Sequence, residues 1–230
     1  MKLLLTSGGI TNDMLAAELE KLVGKKFNEL KIAFVPTAAF SEPDRKDWLI
    51  NDLHRMQERG AAIDLVDIAQ LPGNELYDRL AWSDVIFVGG GNTFYLSYWM
   101  QKSGMFEMLP ELLETRVYAG ISAGSMVATA TVRTSLQITE SEHLYDESYD
   151  EFGPSGRSSA EAMKWVDFAF RPHLNSRHFP NVTEEKIQEI TNRLNVTIYV
   201  VDDQCAVKVD GGNVDVVGGG EWHKLEPVVS

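Results

Sequence analysis

The chain has 230 residues, 44% apolar and 24% charged, enough for one sizeable core and too apolar for intrinsic disorder. Its 21 basic and 34 acidic side chains leave a net charge of −13, which repels nucleic acid and anionic membrane surfaces. A single cysteine, Cys205, excludes an internal disulfide framework and suits a reducing, cytoplasmic compartment. No apolar run approaches the ~20 residues of a membrane span. The opening MKLLLTSGG is too weak for a signal peptide and reads as a first strand. One domain over residues 1–230 is expected.

In chain order, Leu3 to Leu5 predicts a strand ending in the turn Thr6-Ser7-Gly8-Gly9. Asn12 or Thr11 caps a helix through about Val23, with Leu15, Leu19 and Leu22 on one face. Lys31 to Val35 is the next strand, stopped at Pro36, and a helix from about Pro43 to Arg59 is closed by Gly60. Strands follow at Ile63 to Ile68 and at Asp84 to Val88, the latter continuously apolar as in a sheet covered on both faces. Thr93 to Lys102 and Met105 to Thr115 are helices split by Gly104, and Val117 to Gly120 is a fifth strand. This alternation predicts βαβ units and a parallel, doubly wound sheet. Toward the C-terminus, Phe168 to Phe170, Thr197 to Val201, Ala206 to Val209 and Val214 to Val217 read as short strands, the last two joined by a hairpin at Gly211-Gly212. One helix, Glu184 to Leu194, lies among them, and antiparallel strands are expected to be appended here. Residues 137–157 form a long acidic stretch with interspersed aromatics, either a solvated loop or a rim to a site.

Three motifs carry chemistry. Gly120-Ile121-Ser122-Ala123-Gly124 follows an apolar strand and precedes a helix-compatible run, the setting of a nucleophile elbow. The serine then stands above the sheet, and the Ala123 N–H faces a developing oxyanion. Val88-Gly89-Gly90-Gly91-Asn92-Thr93 places three glycines after a buried strand, as the second half of an oxyanion hole or as an anion cradle. It fits neither a Walker loop nor G-x-G-x-x-G. Among five histidines, His173 follows a strand and Pro172 and is the best-placed base, ahead of His178, His54, His143 and His223. No H-x-x-x-H or H-E-x-x-H pair occurs, so neither a metal nor another cofactor is expected.

Together LTSGG, VGGGNTF at Val88 to Phe94, YAGISAG at Tyr118 to Gly124, TVRTS at Thr131 to Ser135 and FRPH ending at His173 resemble the S51 serine peptidases. That family includes aspartyl dipeptidase (peptidase E) and, more distantly, cyanophycinase. The resemblance implies a flavodoxin-like α/β fold related to class I glutamine amidotransferases. It implies Ser122 as nucleophile, His173 as base, and Gly89, Gly90 and Gly91 with Ala123 as the oxyanion hole. Arg133 stands where the peptidase E pattern has an arginine after the elbow helix. Two positions depart from that pattern. Gln137 replaces the aspartate that follows the T-x-R-T-T stretch, so the orienting acid is Asp203 or Glu140. Thr183-Glu184-Glu185-Lys186 replaces an arginine that recognises a substrate aspartate, leaving Arg133, Arg171 and Arg177, with Asn92, as candidate substrate contacts.

The expected activity is hydrolysis of short peptides by a serine peptidase of dipeptidase E type. The alternatives are a cyanophycinase-like β-aspartyl peptidase and a non-catalytic flavodoxin-like module that binds an anion or nucleotide. Expected partners are a short peptide and, in assembly, a second copy of the chain.

Overall fold

The computed structural model describes residues 1–41, 45–135 and 159–228. Its first half alternates strand and helix: β1 (Lys2–Thr6), α1 (Asp13–Val23), β2 (Lys31–Val35), α2 (Asp47–Glu58), β3 (Ala62–Leu65), α3 (Gly73–Trp82) and β4 (Val85–Val88). Then come α4 (Thr93–Lys102), α5 (Met105–Leu112), β5 (Val117–Ile121) and α6 (Ala123–Met126). The remainder is β6 (Ala169–Arg171), α7 (Glu184–Leu194), β7 (Ile198–Val201), β8 (Cys205–Asp210), β9 (Asn213–Gly218) and β10 (Trp222–Leu225).

Helix starts follow their caps. The Asn12 side chain accepts from the Leu15 N–H, Asn92 from Tyr95 and Thr183 from Lys186, each satisfying a donor that its helix leaves open. α1 closes on Gly24, in the left-handed conformation at φ 80°.

Seven strands form the main sheet in the order β3-β2-β4-β5-β1-β8-β9. The first five are mutually parallel, while β8 and β9 join antiparallel beyond β1. Side chains alternate across this sheet. Leu3, Leu5, Val35, Ile86, Val88 and Tyr118 pack on one face with α3, α4, α5 and α6. Leu4, Ile32, Phe34, Phe87 and Ala119 pack on the other with α1 and α2. Both faces are covered, which is why β4 and β5 are buried throughout.

Several elements differ from the sequence reading. α3 is absent from the elements predicted above; two buried residues four apart, Leu76 and Leu80, are enough to hold it against the sheet. α2 begins at Asp47, because residues 37–41 form a 3-10 turn; Pro43 lies outside the described residues. β3, at the sheet edge, ends at Leu65 and not at Ile68. The C-terminal strands divide between two sheets. β8 and β9 extend the main one, while β6, β7 and the unforeseen β10 form a second in the order β10-β7-β6. Within it β6 and β7 run parallel, because α7 supplies the crossover that parallel pairing needs. Ile187 and Ile190 of α7 pack on Ala169, Ile198 and Val200 to give this sheet its own small core.

Strand register decides where a site can form. Thr6 is level with Ile121, and Val88 with Gly120, so β1, β4 and β5 end together. Their exits converge at one edge, where parallel α/β sheets bind ligands. Among the described residues no helix is long and apolar enough to cross a membrane.

Candidate active site

The turn from β5 into α6 is tight. Ser122 adopts φ 49° and ψ −108°, a conformation that costs a side-chain-bearing residue roughly 1–3 kcal/mol. Its neighbours hold it there. The Ser122 N–H donates to the Thr6 carbonyl at 3.0 Å, and the Ser125 hydroxyl donates to the same oxygen at 2.7 Å. The buried Tyr118 hydroxyl donates to the Gly124 carbonyl at 2.6 Å. Both flanking glycines are required by close approach. A Cβ at Gly120 would lie 2.5 Å from the Ser125 nitrogen, and one at Gly124 would lie 2.0 Å from the Val88 oxygen. The pentapeptide is therefore built by backbone contact on three strands.

Two turns of the C-terminal region face it. His173 follows β6 and Pro172, with its backbone at φ 69°. Its Nε2 lies 3.0 Å from the Ser122 Oγ, and its Nδ1 lies 2.8 Å from Asp203 Oδ1. Asp203 stands in the turn between β7 and β8. Because Asp203 presents only an acceptor, the Nδ1 carries the proton and Nε2 is the acceptor facing Ser122. The Phe179 ring stacks on the imidazole at 4.3 Å and 8°. Burial works to raise the Asp203 carboxyl, but its hydrogen bonds to His173 and Ser7 and the attraction of His173 and His178 outweigh this. The acid is held below the usual aspartate range.

Ser7 is a neighbour that the sequence reading included in a landmark but gave no role. It is fully buried at the end of β1, accepts from the His173 N–H at 2.8 Å and donates to Asp203 Oδ1 at 2.6 Å. Asp52, on α2, is also buried and pairs with Arg55 at 3.2 Å. Burial pushes its carboxyl up to about 7; Arg55 opposes the rise and the nearby Asp203 adds to it.

The other expected residues fall differently. In the glycine loop, Gly90 is the residue against the serine, at 3.4 Å between its would-be Cβ and the Ser122 Cβ. The Gly89 N–H is taken up by the Val35 carbonyl at 2.9 Å, which removes it from the oxyanion set, and Gly91 packs on the backbone of Ala38. Ala123 is buried as the first residue of α6. Asn92 is buried and its carbonyl oxygen is engaged in capping α4. Arg171, expected as a substrate contact, is buried in β6 and donates to the Thr134 carbonyl at 3.0 Å, tying β6 to the 133–135 turn. Arg133 and Arg177 are exposed, and the Arg177 Nε donates to the His178 Nε2 at 3.1 Å. His54 pairs with Glu58, and His223 lies by Glu184 and Glu221. Glu140, Gln137 and His143 lie outside the described residues. Among the described residues no group of three or more His, Cys, Asp or Glu side chains is placed to hold a metal ion.

The sequence pattern of peptidase family S51 matches residues 3–217. An uncharacterized peptidase of Pasteurella multocida is 29% identical over 78% of this chain and 81% of its own. Peptidase E of a Nostoc species is 25% identical over 87% of this chain and 77% of its own. The crystal structure of a peptidase from an acI-B1 Actinobacterium superposes with a TM-score of 0.71 at 18% identity, covering 99% of this chain and 91% of that one, and so shares the fold.

Proposed function

The chain belongs to peptidase family S51, and from that premise we propose a serine peptidase that hydrolyses short peptides, with the dipeptidase E type as its closest functional parallel. The observation that carries this reading is the continuous chain of contacts from Ser122 through His173 to Asp203, at 3.0 and 2.8 Å.

In this mechanism the Ser122 Oγ attacks the scissile carbonyl carbon while His173 Nε2 takes its proton. The carbonyl π electrons move to oxygen, and the N–H groups of Ala123 and Gly90 receive the oxyanion. Asp203 stabilises the imidazolium and holds its tautomer. As the tetrahedral intermediate collapses, the C–N bond breaks and the leaving amine takes the proton from His173. Water, deprotonated by the same imidazole, then attacks the ester and releases the acid product with Ser122 restored. The name alpha-aspartyl dipeptidase on a Drosophila melanogaster relative, 27% identical over 59% of this chain, supports a preference for an acidic residue in the substrate.

The test is labelling with a fluorophosphonate, located by mass spectrometry, beside a dipeptide library with free and blocked ends. Labelling at Ser122, and cleavage lost in Ser122→Ala, are expected. Absence of labelling together with stabilisation by phosphate would replace the peptidase with an anion-binding module.

A further inference from the structure

We propose that Ser7 is a positioning residue for this site, one hydroxyl that holds base and acid in register; the proposal rests on the serine peptidase reading. Its contacts span the chain. The partners are His173, 166 residues away, and Asp203, 196 residues away. The direction of each bond is forced by chemistry. The His173 backbone N–H can only donate, so at 2.8 Å the Ser7 oxygen accepts it. The Asp203 carboxylate, held ionised, can only accept, so at 2.6 Å the Ser7 hydrogen goes to Oδ1. The same Oδ1 receives His173 Nδ1 at 2.8 Å. One carboxylate oxygen is thus located by the base and by a hydroxyl that also holds the backbone of that base.

That backbone needs holding. His173 sits at φ 69°, a left-handed conformation uncommon for a residue with a side chain. The Ser7 oxygen is a direct anchor for the strained residue. Ser7 is itself rigid. It has no exposed surface, and the segment carrying it grips the Asp203 turn at further points. Thr11 Oγ1 donates to the Asp203 carbonyl at 2.7 Å, Asn12 Nδ2 donates to the Gln204 carbonyl at 3.1 Å, and the Ser7 N–H reaches the Cys205 carbonyl at 3.4 Å. The exit of β1 therefore serves as the common seat of the two C-terminal turns. The hydrogen bonds of the Ser7 hydroxyl run to His173 and Asp203, so it acts through the base and the acid.

The experiment measures the rate of fluorophosphonate labelling of Ser122, together with kcat and KM on a dipeptide that the wild type cleaves. It compares wild type, Ser7→Ala, Asp203→Asn and the double variant. Ser7→Ala is expected to slow labelling and kcat about 10- to 100-fold, the worth of one hydrogen bond to a charged group, with KM within about twofold. Because part of the effect of Ser7 passes through Asp203 and part through the His173 backbone, the same change in the Asp203→Asn background is expected to cost at least about threefold less than it does in wild type. A merely structural loss would multiply both backgrounds equally, and that result overturns the proposal. So does a Ser7→Ala enzyme as fast as wild type. Thermal unfolding of each variant checks that the fold survives. Should Ser7→Ala fail to fold, Ser7→Cys, which is slightly larger and has a weaker donor and acceptor, replaces it under the same criteria. Ser122→Ala separates the two readings. If it keeps its peptidase activity, the serine peptidase reading fails; if it is inactive while Ser7→Ala is unimpaired, only the role of Ser7 fails.

Discussion

The two halves of the site are held in different ways. Ser122 is fixed chiefly by backbone: level strand ends, a strained Ser122, and glycines whose missing side chains admit Ser125 and Val88. His173 and Asp203 are fixed by side chains on two turns of the C-terminal region, through hydrogen bonds converging on Asp203 and Ser7. A backbone device is all or none, because a methyl group cannot be placed 2.0 Å from a carbonyl oxygen. A hydrogen-bonded device is graded, since each bond can be removed singly while the others remain.

That contrast orders the expected effects. Ser122→Ala should be the most severe, lowering kcat on the order of 10⁶-fold with the unfolding temperature nearly unchanged. Retention of a tenth of the rate would place the nucleophile elsewhere. Asp203→Asn should lower kcat by roughly 10²- to 10⁴-fold with little change in KM, because it disturbs the imidazole and leaves the elbow intact. Glu140→Gln should do much less. Equal losses from the two would mean that the acid is shared or lies in the 136–158 segment.

A smaller effect tests the same pair through pH. Activity should fall on acidification from neutral pH, because the imidazole must be neutral to accept the serine proton. Asp203 is held below the usual carboxylate range and stays ionised throughout, so it adds no second step there. A profile flat from pH 5 to 8 in the wild type counts against a histidine base.

The same contrast explains what could be read from the sequence. Devices made of local backbone leave local signatures. The G-x-S-x-G turn, the glycines after β4, the Asn12 cap and the apolar runs of β1, β2, β4 and β5 all lie within a few residues of the structure they make. Ser122 and His173 could be named because each follows a strand, and Asp203 as one of two acids because it follows β7. Ser7, Phe179 and the Tyr118 hydroxyl carry no such mark. Their partners are set by how the C-terminal turns fold over β1 and β5, which nothing local encodes. Arg171 was misjudged for the same reason. An arginine at a strand end looks available to a ligand until the 133–135 turn packs over it. The second sheet was also hidden, since strands as short as β6 show no preference for one partner over another.

Asp52 gives the smallest effect and the sharpest separation of stability from catalysis, because it lies beside the site without joining the contacts to Ser122. Its carboxyl is buried, and the folded protein raises it from 3.8 to about 7. A carboxyl raised on folding binds its proton more tightly in the native state. The native state therefore holds more protons than the unfolded chain between pH 4 and 7, and stability falls as pH rises through that window. Below it Asp52 is neutral in both states and costs nothing; above it the penalty is constant, about 4 kcal/mol at the upper limit for a shift of that size. Asp52→Asn keeps the shape and cannot ionise. It gives up the ion pair with Arg55, whose attraction is already included in the raised carboxyl. The variant should gain on wild type by roughly 2–3 kcal/mol between pH 5 and pH 8, because most of the ionisation falls between them. Every other titrating group is common to the two proteins and cancels in the difference, apart from the weak repulsion between Asp52 and Asp203. Thermal unfolding at both pH values measures the gain. A difference in Tm that does not change with pH means that Asp52 is ionised as easily as in the unfolded chain and that Arg55 fully compensates its burial.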